Sequence, residues 1–128
     1  MIVVNIDTFR PPERHASNDI IDDAIQISDQ DAVDVAHWLL KEEGLFVGSS
    51  SAMNVVGAIR AALSSELNDE CERDKCVVTV ICDGGQRHLT RFWNREFITN
   101  WKLQWPGDDE VSWKNRLTLL FAEDDFFS

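Results

Sequence analysis

Long apolar runs are missing from this sequence. None approaches the roughly 20 residues that cross a bilayer, and the opening "MIVVNI" is too short and too poorly flanked for a secretory signal. Asp7 and Glu13 sit badly with a transit peptide. Cations are also scarce: 12 Lys and Arg stand against 23 Asp and Glu, a formal charge of −11, which repels nucleic acid and anionic membrane surfaces. Only Cys71, Cys76 and Cys82 supply thiols, and they have no CxxC spacing, which argues against a disulfide framework or a zinc site. A reducing compartment fits, the cytoplasm first and mitochondria as the alternative. No GxGxxG, Walker lysine pattern or GxSxG is present, and no separate acid and histidine complete a serine triad.

With 128 residues, the chain is sized for one domain with a modest core or for a piece of a larger one. "MIVVNI" reads as a short strand, whereas "DTFRPPERHASND" holds Pro11 and Pro12 among turn formers and excludes a helix. Residues 1–19 therefore form a lead-in. From Ser28 the pattern sharpens: a serine cap with an acid three residues on, then Val35, Ala36, Leu39 and Leu40 at helical spacing. This predicts a helix over 29–43 that stops at Gly44.

"LFV" at 45–47, bounded by Gly44 and Gly48, reads as a short buried strand entering a tight turn. A second helix opens within Ser49, Ser50 and Ser51, with Val55, Val56, Ile59 and Ala62 on one side and Gly57, Ala58 and Ala61 allowing close packing. "CVVTVIC" at 76–82 is the clearest strand, β-branched and apolar without alternation, so Cys76 and Cys82 read as core or strand-end residues. "QRHLTRFWNREFI" at 86–98 reads as a third helix.

Two strands joined by a helix imply a parallel pair with a right-handed crossover and an α/β class. So few strands make a poor sheet alone, and the unit looks unfinished. Residues 99–128 form an acidic tail with Trp101, Trp105 and Trp113, a pattern expected of a tail packed on its own surface or a neighbour's.

The serine turn reads two ways. Hydroxyls at a helix start cap its unpaired N–H groups or turn outward to a ligand, and Gly48 allows another group to approach the backbone closely. The loop "CDGGQRH" sets Asp83, Arg87 and His88 after the later strand, at the edge where open α/β sheets bind ligands. Each has a plainer reading: Asp83 as a turn residue, Arg87 as the partner of a carboxylate, His88 and His37 as hydrogen-bonded boundary residues, Phe92 and Trp93 as packing groups.

The run "ISDQDAVDVAHWLLKEEGLFVGSSSAMNVVGAIRAA" with "CVVTVICDGGQRHLTRF" resembles the C-terminal part of the pyridoxal-phosphate-dependent cysteine synthase and cystathionine β-synthase family, closest to its fungal cysteine-synthase-like branch. The resemblance covers about 20–98. It implies a partial three-layer α/β/α unit with a short, mostly parallel sheet, a fragment of the fold type II architecture. It implies pyridoxal 5′-phosphate as cofactor, an amino-acid substrate, and a homodimer or association with a full-length relative. Within it, Glu43-Gly44 and Gly48-Ser49-Ser50-Ser51 match the family's "EG" step and glycine-serine turn. Asp83-Gly84-Gly85-Gln86-Arg87-His88 stands where the family reads like "DSGERY".

By that correspondence Ser50 meets the pyridine nitrogen, with Gly48, Ser49, Ser51 and Asp83 around it. A neutral hydroxyl there leaves the ring a weaker electron sink than a carboxylate would, which suits β-elimination and replacement. Ala52 departs from the family, whose turn has glycine at that place. The lysine that links to the cofactor and the Gly/Thr-rich phosphate loop have no match; Lys41, Lys75, Lys102 and Lys114 lie in charged helix or tail contexts. The expectation is a C-terminal portion of a cysteine-synthase-like enzyme, replacing the leaving group of O-acetylserine or serine with sulfide, inactive by itself and with no catalytic residue of its own. The alternative is a non-catalytic module that docks on a full-length relative.

Overall fold

A computed structural model describes residues 2–6, 23–64 and 76–121. Two parallel strands, β1 (Ile2–Ile6) and β2 (Asp23–Ile27), pair in register from Ile2 opposite Asp23 to Ile6 opposite Ile27. Four helices follow: α1 (Asp29–Glu42), α2 (Ser49–Leu63), α3 (Arg95–Asn100) and α4 (Glu110–Phe121), with one turn of 3₁₀ helix at Gly85–His88 between α2 and α3.

The first helix forms as its sequence dictates. Ser28 stays extended and its hydroxyl accepts the Asp31 N–H at 3.1 Å, a cap worth about 1 kcal/mol. At the other end Gly44 adopts φ +69°, and the N–H of Leu45 returns to the Leu39 carbonyl at 2.9 Å. Ala32, Val33, Val35, Ala36 and Leu39 are buried. They meet Ile27 of β2, Ala52 and Val56 of α2, and Trp113, Leu117 and Leu120 of α4 in one core. Each fully buried Val or Ile adds about 1.5–3 kcal/mol of transfer free energy.

Of the residues expected to line α2, Val56, Gly57 and Ala61 are buried, whereas Ala62 is exposed. Polar links fix the angles between elements. Arg60 of α2 donates to Asp31 of α1 at 2.7 Å and to the Gln26 carbonyl of β2. The α4 helix is tied to α1 by Arg116, whose guanidinium grips both oxygens of Asp34 at 2.6 and 2.8 Å, and by the Trp113 indole, which donates to the Asp34 carbonyl at 3.2 Å. Glu110 adds an exposed ion pair to Lys41 at 2.8 Å; Lys41 and Lys114 together hold its carboxyl down at about 2. The tryptophan-bearing tail thus packs on the chain's own first helix, although Trp101 stays exposed.

Three expectations from the sequence are corrected. Residues 45–47 form no strand: Leu45 and Phe46 are exposed, and Val47 makes an isolated antiparallel bridge with Gly84, so the two expected strands are not a parallel pair. Three apolar residues are too few to earn a ladder when the neighbouring backbone is a turn. Residues 76–82 join no sheet ladder among the described residues, and Val78 is 85% exposed. They lie along α2 instead, where Thr79 donates to the Asn54 carbonyl at 3.1 Å and the Asn54 amide donates to Val80 at 2.9 Å. Cys76 and Cys82 are accordingly exposed thiols, not core residues, while Cys71 lies outside the described residues. Finally, the third helix is broken: Asn94 leaves helical geometry and its side chain accepts the Phe97 N–H at 2.9 Å, starting α3 afresh. The strand β2, alternating Ala24 and Gln26 outward with Ile25 and Ile27 inward, was not legible in advance.

Candidate functional site

The turn entering α2 and the loop after Cys82 meet. Gly48 donates its N–H to the Asp83 carbonyl at 3.1 Å, and Gly85 donates to Phe46 at 3.1 Å. Ser51, fully buried in the first turn of α2, uses its hydroxyl completely: it donates to the Asp83 carbonyl at 3.0 Å and accepts the N–H groups of Cys82 at 2.9 Å and Asp83 at 3.2 Å. Its role in the geometry is to stitch the loops. None of the three serines caps α2 in the usual way; Gly48 holds the cap position and carries no side chain. The hydroxyls of Ser49, half-buried, and Ser50, exposed, make no hydrogen bond among the described residues.

Gly48 is glycine for a visible reason. A Cβ there would lie 2.0 Å from Asp83 Oδ1 and 2.8 Å from His88 Nε2, so the acid and the imidazole occupy the space a side chain would need. His88 Nε2–H donates to Asp83 Oδ2 at 2.7 Å, while Oδ1 is buried without a partner among the described residues. The structure therefore brings together Gly48, Ser51 and Asp83 by direct bonds and sets Ser49 and Ser50 beside them. His88 enters this cluster as well; the spacing of five residues across Gly84-Gly85 was the available signal. Arg87 is exposed and makes no ion pair with a carboxylate among the described residues.

Behind the turn, an aromatic layer supports it. Trp93 donates its indole N–H to the Val47 carbonyl at 2.8 Å, and its ring lies 4.8 Å from Phe46 and 4.6 Å from His37 of α1. Trp105 meets the other side of His37 edge-on at 4.5 Å. The His37 Nδ1–H donates to the Val33 carbonyl at 2.8 Å, which leaves Nε2 buried and unpartnered among the described residues. Burial pushes the pKa of His37 below its ordinary 6.5, against the opposing pull of the Val33 hydrogen bond and the charge of Asp34.

A histidine lowered in the folded state binds its proton more readily once unfolded. Its contribution is whole above 6.5 and declines as pH falls from there toward the folded value. Urea melts between about pH 7.5 and about pH 5 should show stability falling by at most about 1.4 kcal/mol per pH unit from this group, a component absent in His37→Phe.

Two polar loops are thus joined at the start of a helix, with the exposed Ser50 and the half-buried Asp83 on the two joined segments. Residues 5–83 match the family of pyridoxal-phosphate dependent enzymes, and the chain belongs to that family. It is 42% identical over 74 residues to cysteine synthase 2 of Neurospora crassa, covering 58% of this chain and 15% of the relative. It is 40% identical over 79 residues to cysteine synthase 2 of Schizosaccharomyces pombe, covering 62% and 18%. A cysteine synthase of Dictyostelium discoideum is 38% identical over 81 residues, covering 63% and 20%. The chain thus spans between 15% and 20% of the length of these curated relatives.

Proposed function

We propose that this chain supplies the pyridine-ring side of the cofactor site of a cysteine-synthase-like enzyme. The reaction is β-replacement on O-acetylserine or serine by sulfide, in the cytoplasm or in mitochondria. The observation that carries this reading is the convergence of the Gly48–Ser51 turn with Asp83, the last residue of the stretch that matches the family. Pyridoxal phosphate, when bound, supplies the electron sink for eliminating and replacing the substituent on the β-carbon of an amino acid.

The residues present suit a ring rather than a phosphate. Ser50 offers an exposed hydroxyl that can donate to, or accept from, a ring nitrogen without imposing a charge. Ser51 keeps the turn fixed to the Asp83 loop, and Gly48 lets that loop close. Lys41 and Lys114 are paired with Glu110, and Lys102 stands at the end of α3, so no described lysine is at the turn. Covalent linkage and phosphate binding therefore fall to other residues of the complete site, and the α/β/α layering of fold type II is completed there too.

The test is a chimera of Neurospora crassa cysteine synthase 2 carrying this chain's matched residues. Ser50→Ala in that chimera should weaken pyridoxal-phosphate affinity about fivefold to tenfold, as expected for one lost hydrogen bond. Unchanged affinity and turnover would sink the assignment of Ser50.

One observation favours a second reading, a non-catalytic module that docks on a full-length relative. Val77, Val78, Val80 and Ile81 are exposed apolar residues in a segment that joins no ladder among the described residues, and β-branched side chains of this kind suit strand addition. Sedimentation of the chain with and without purified cysteine synthase 2 decides it: a monomer peak unmoved by the relative rejects docking.

A further inference from the structure

The Asp83–His88 pair belongs to a closed circuit of contacts around the turn. Val47 precedes Gly48; Gly48 donates to Asp83; Asp83 accepts from His88; the His88 carbonyl accepts the Trp93 N–H at 3.0 Å; and the Trp93 indole returns to the Val47 carbonyl. Within that circuit the carboxylate is the element most inclined to leave. Its Oδ1 is buried with no described partner, a cost that turning outward into water would remove. The bond from His88 to Oδ2 is what holds the group in place.

We propose that His88 is a positioning residue of this site. It clamps the Asp83 carboxylate against Gly48, keeps the serine turn in the one arrangement that presents Ser50, and leaves Oδ1 as a fixed acceptor at the base of the turn. The inference rests on the reading of that turn as the ring-facing wall, but its geometry is testable in the 128-residue chain without cofactor.

Two variants separate a clamp from mere bulk. His88→Phe keeps a flat ring and removes the donor; His88→Gln returns an N–H donor near the place of Nε2. Amide hydrogen exchange read residue by residue should quicken about tenfold at Gly48 in His88→Phe, relative to Val35 in α1, and return most of the way in His88→Gln. Unchanged exchange at Gly48 in His88→Phe, or a Gln variant that behaves like Phe, overturns the proposal. Should His88→Phe not fold, long-range proton–nitrogen correlation on the unmodified chain still decides: a proton on Nε2 is expected, and a bare Nε2 refutes the clamp. Loss of the ring assignment would appear only in the Ser50→Ala chimera, so the two failures remain distinct.

Discussion

Arg116→Met is expected to cost about 2–3 kcal/mol of folding stability, measured by denaturant unfolding. Asp34 is 2% exposed, and its carboxylate takes two hydrogen bonds from the Arg116 guanidinium and one from the Gln30 amide at 3.0 Å. Removing the guanidinium leaves a buried charge with a single neutral donor, which is far costlier than never having placed a charge there. The loss should fall at the lower end for such pairs because the Arg116 side chain is 23% exposed and water screens part of the interaction. A double change, Asp34→Leu with Arg116→Met, should recover most of it, since two apolar groups need no solvation. A cost below about 1 kcal/mol for Arg116→Met would mean that water already shares the pair.

Gly48→Ala is the second large effect, about 2–4 kcal/mol or a displaced Asp83 loop. The added methyl meets Asp83 Oδ1 at 2.0 Å, His88 Nε2 at 2.8 Å and Asp83 Cγ at 2.9 Å, so the Asp83 side chain has to turn aside. The carboxylate must leave, taking the His88 bond with it. Gly44→Ala is the informative control. Nothing lies within 4 Å of a Cβ there, but the backbone sits at φ +69°, so only left-handed strain of about 1 kcal/mol is expected. Both variants are compared by thermal unfolding, and amide exchange at Gly85, bonded to Phe46, reports whether the loop has moved. Equal costs at the two positions would contradict the packing described around Gly48.

How much of this was legible in the letters depended on whether the signal was local. Helix α1 was fully readable because its cap, its apolar spacing and its terminal glycine are all properties of neighbouring residues. The family resemblance was readable too, as it rests on motifs in a fixed order; the two loops do meet, but across an antiparallel bridge and not at the edge of the parallel pair from which their convergence was expected. Pairing was not. "CVVTVIC" has every compositional mark of a strand, yet a ladder needs a partner backbone, and the described residues supply only the side chain and carbonyl of Asn54. The expected helix at 86–98 is 3₁₀ at its start and turns over 89–93, and an α-helix begins only after Asn94, whose side chain accepts the Phe97 N–H as a cap. His88 looked like a boundary histidine because its partner, Asp83, is also a plausible turn residue; only coordinates show both pressed against Gly48.

Trp93 carries a practical consequence. Its indole is bonded to the residue just before the turn's glycine and flanked by His37 and Phe46, whereas Trp101 lies in water. A natural fluorophore thus sits against the turn proposed to face the cofactor ring. Any event that loosens the Gly48–Asp83 junction should shift the emission of Trp93 to the red, and any that tightens it should do the reverse, so the state of the junction can be followed by light without attaching a label.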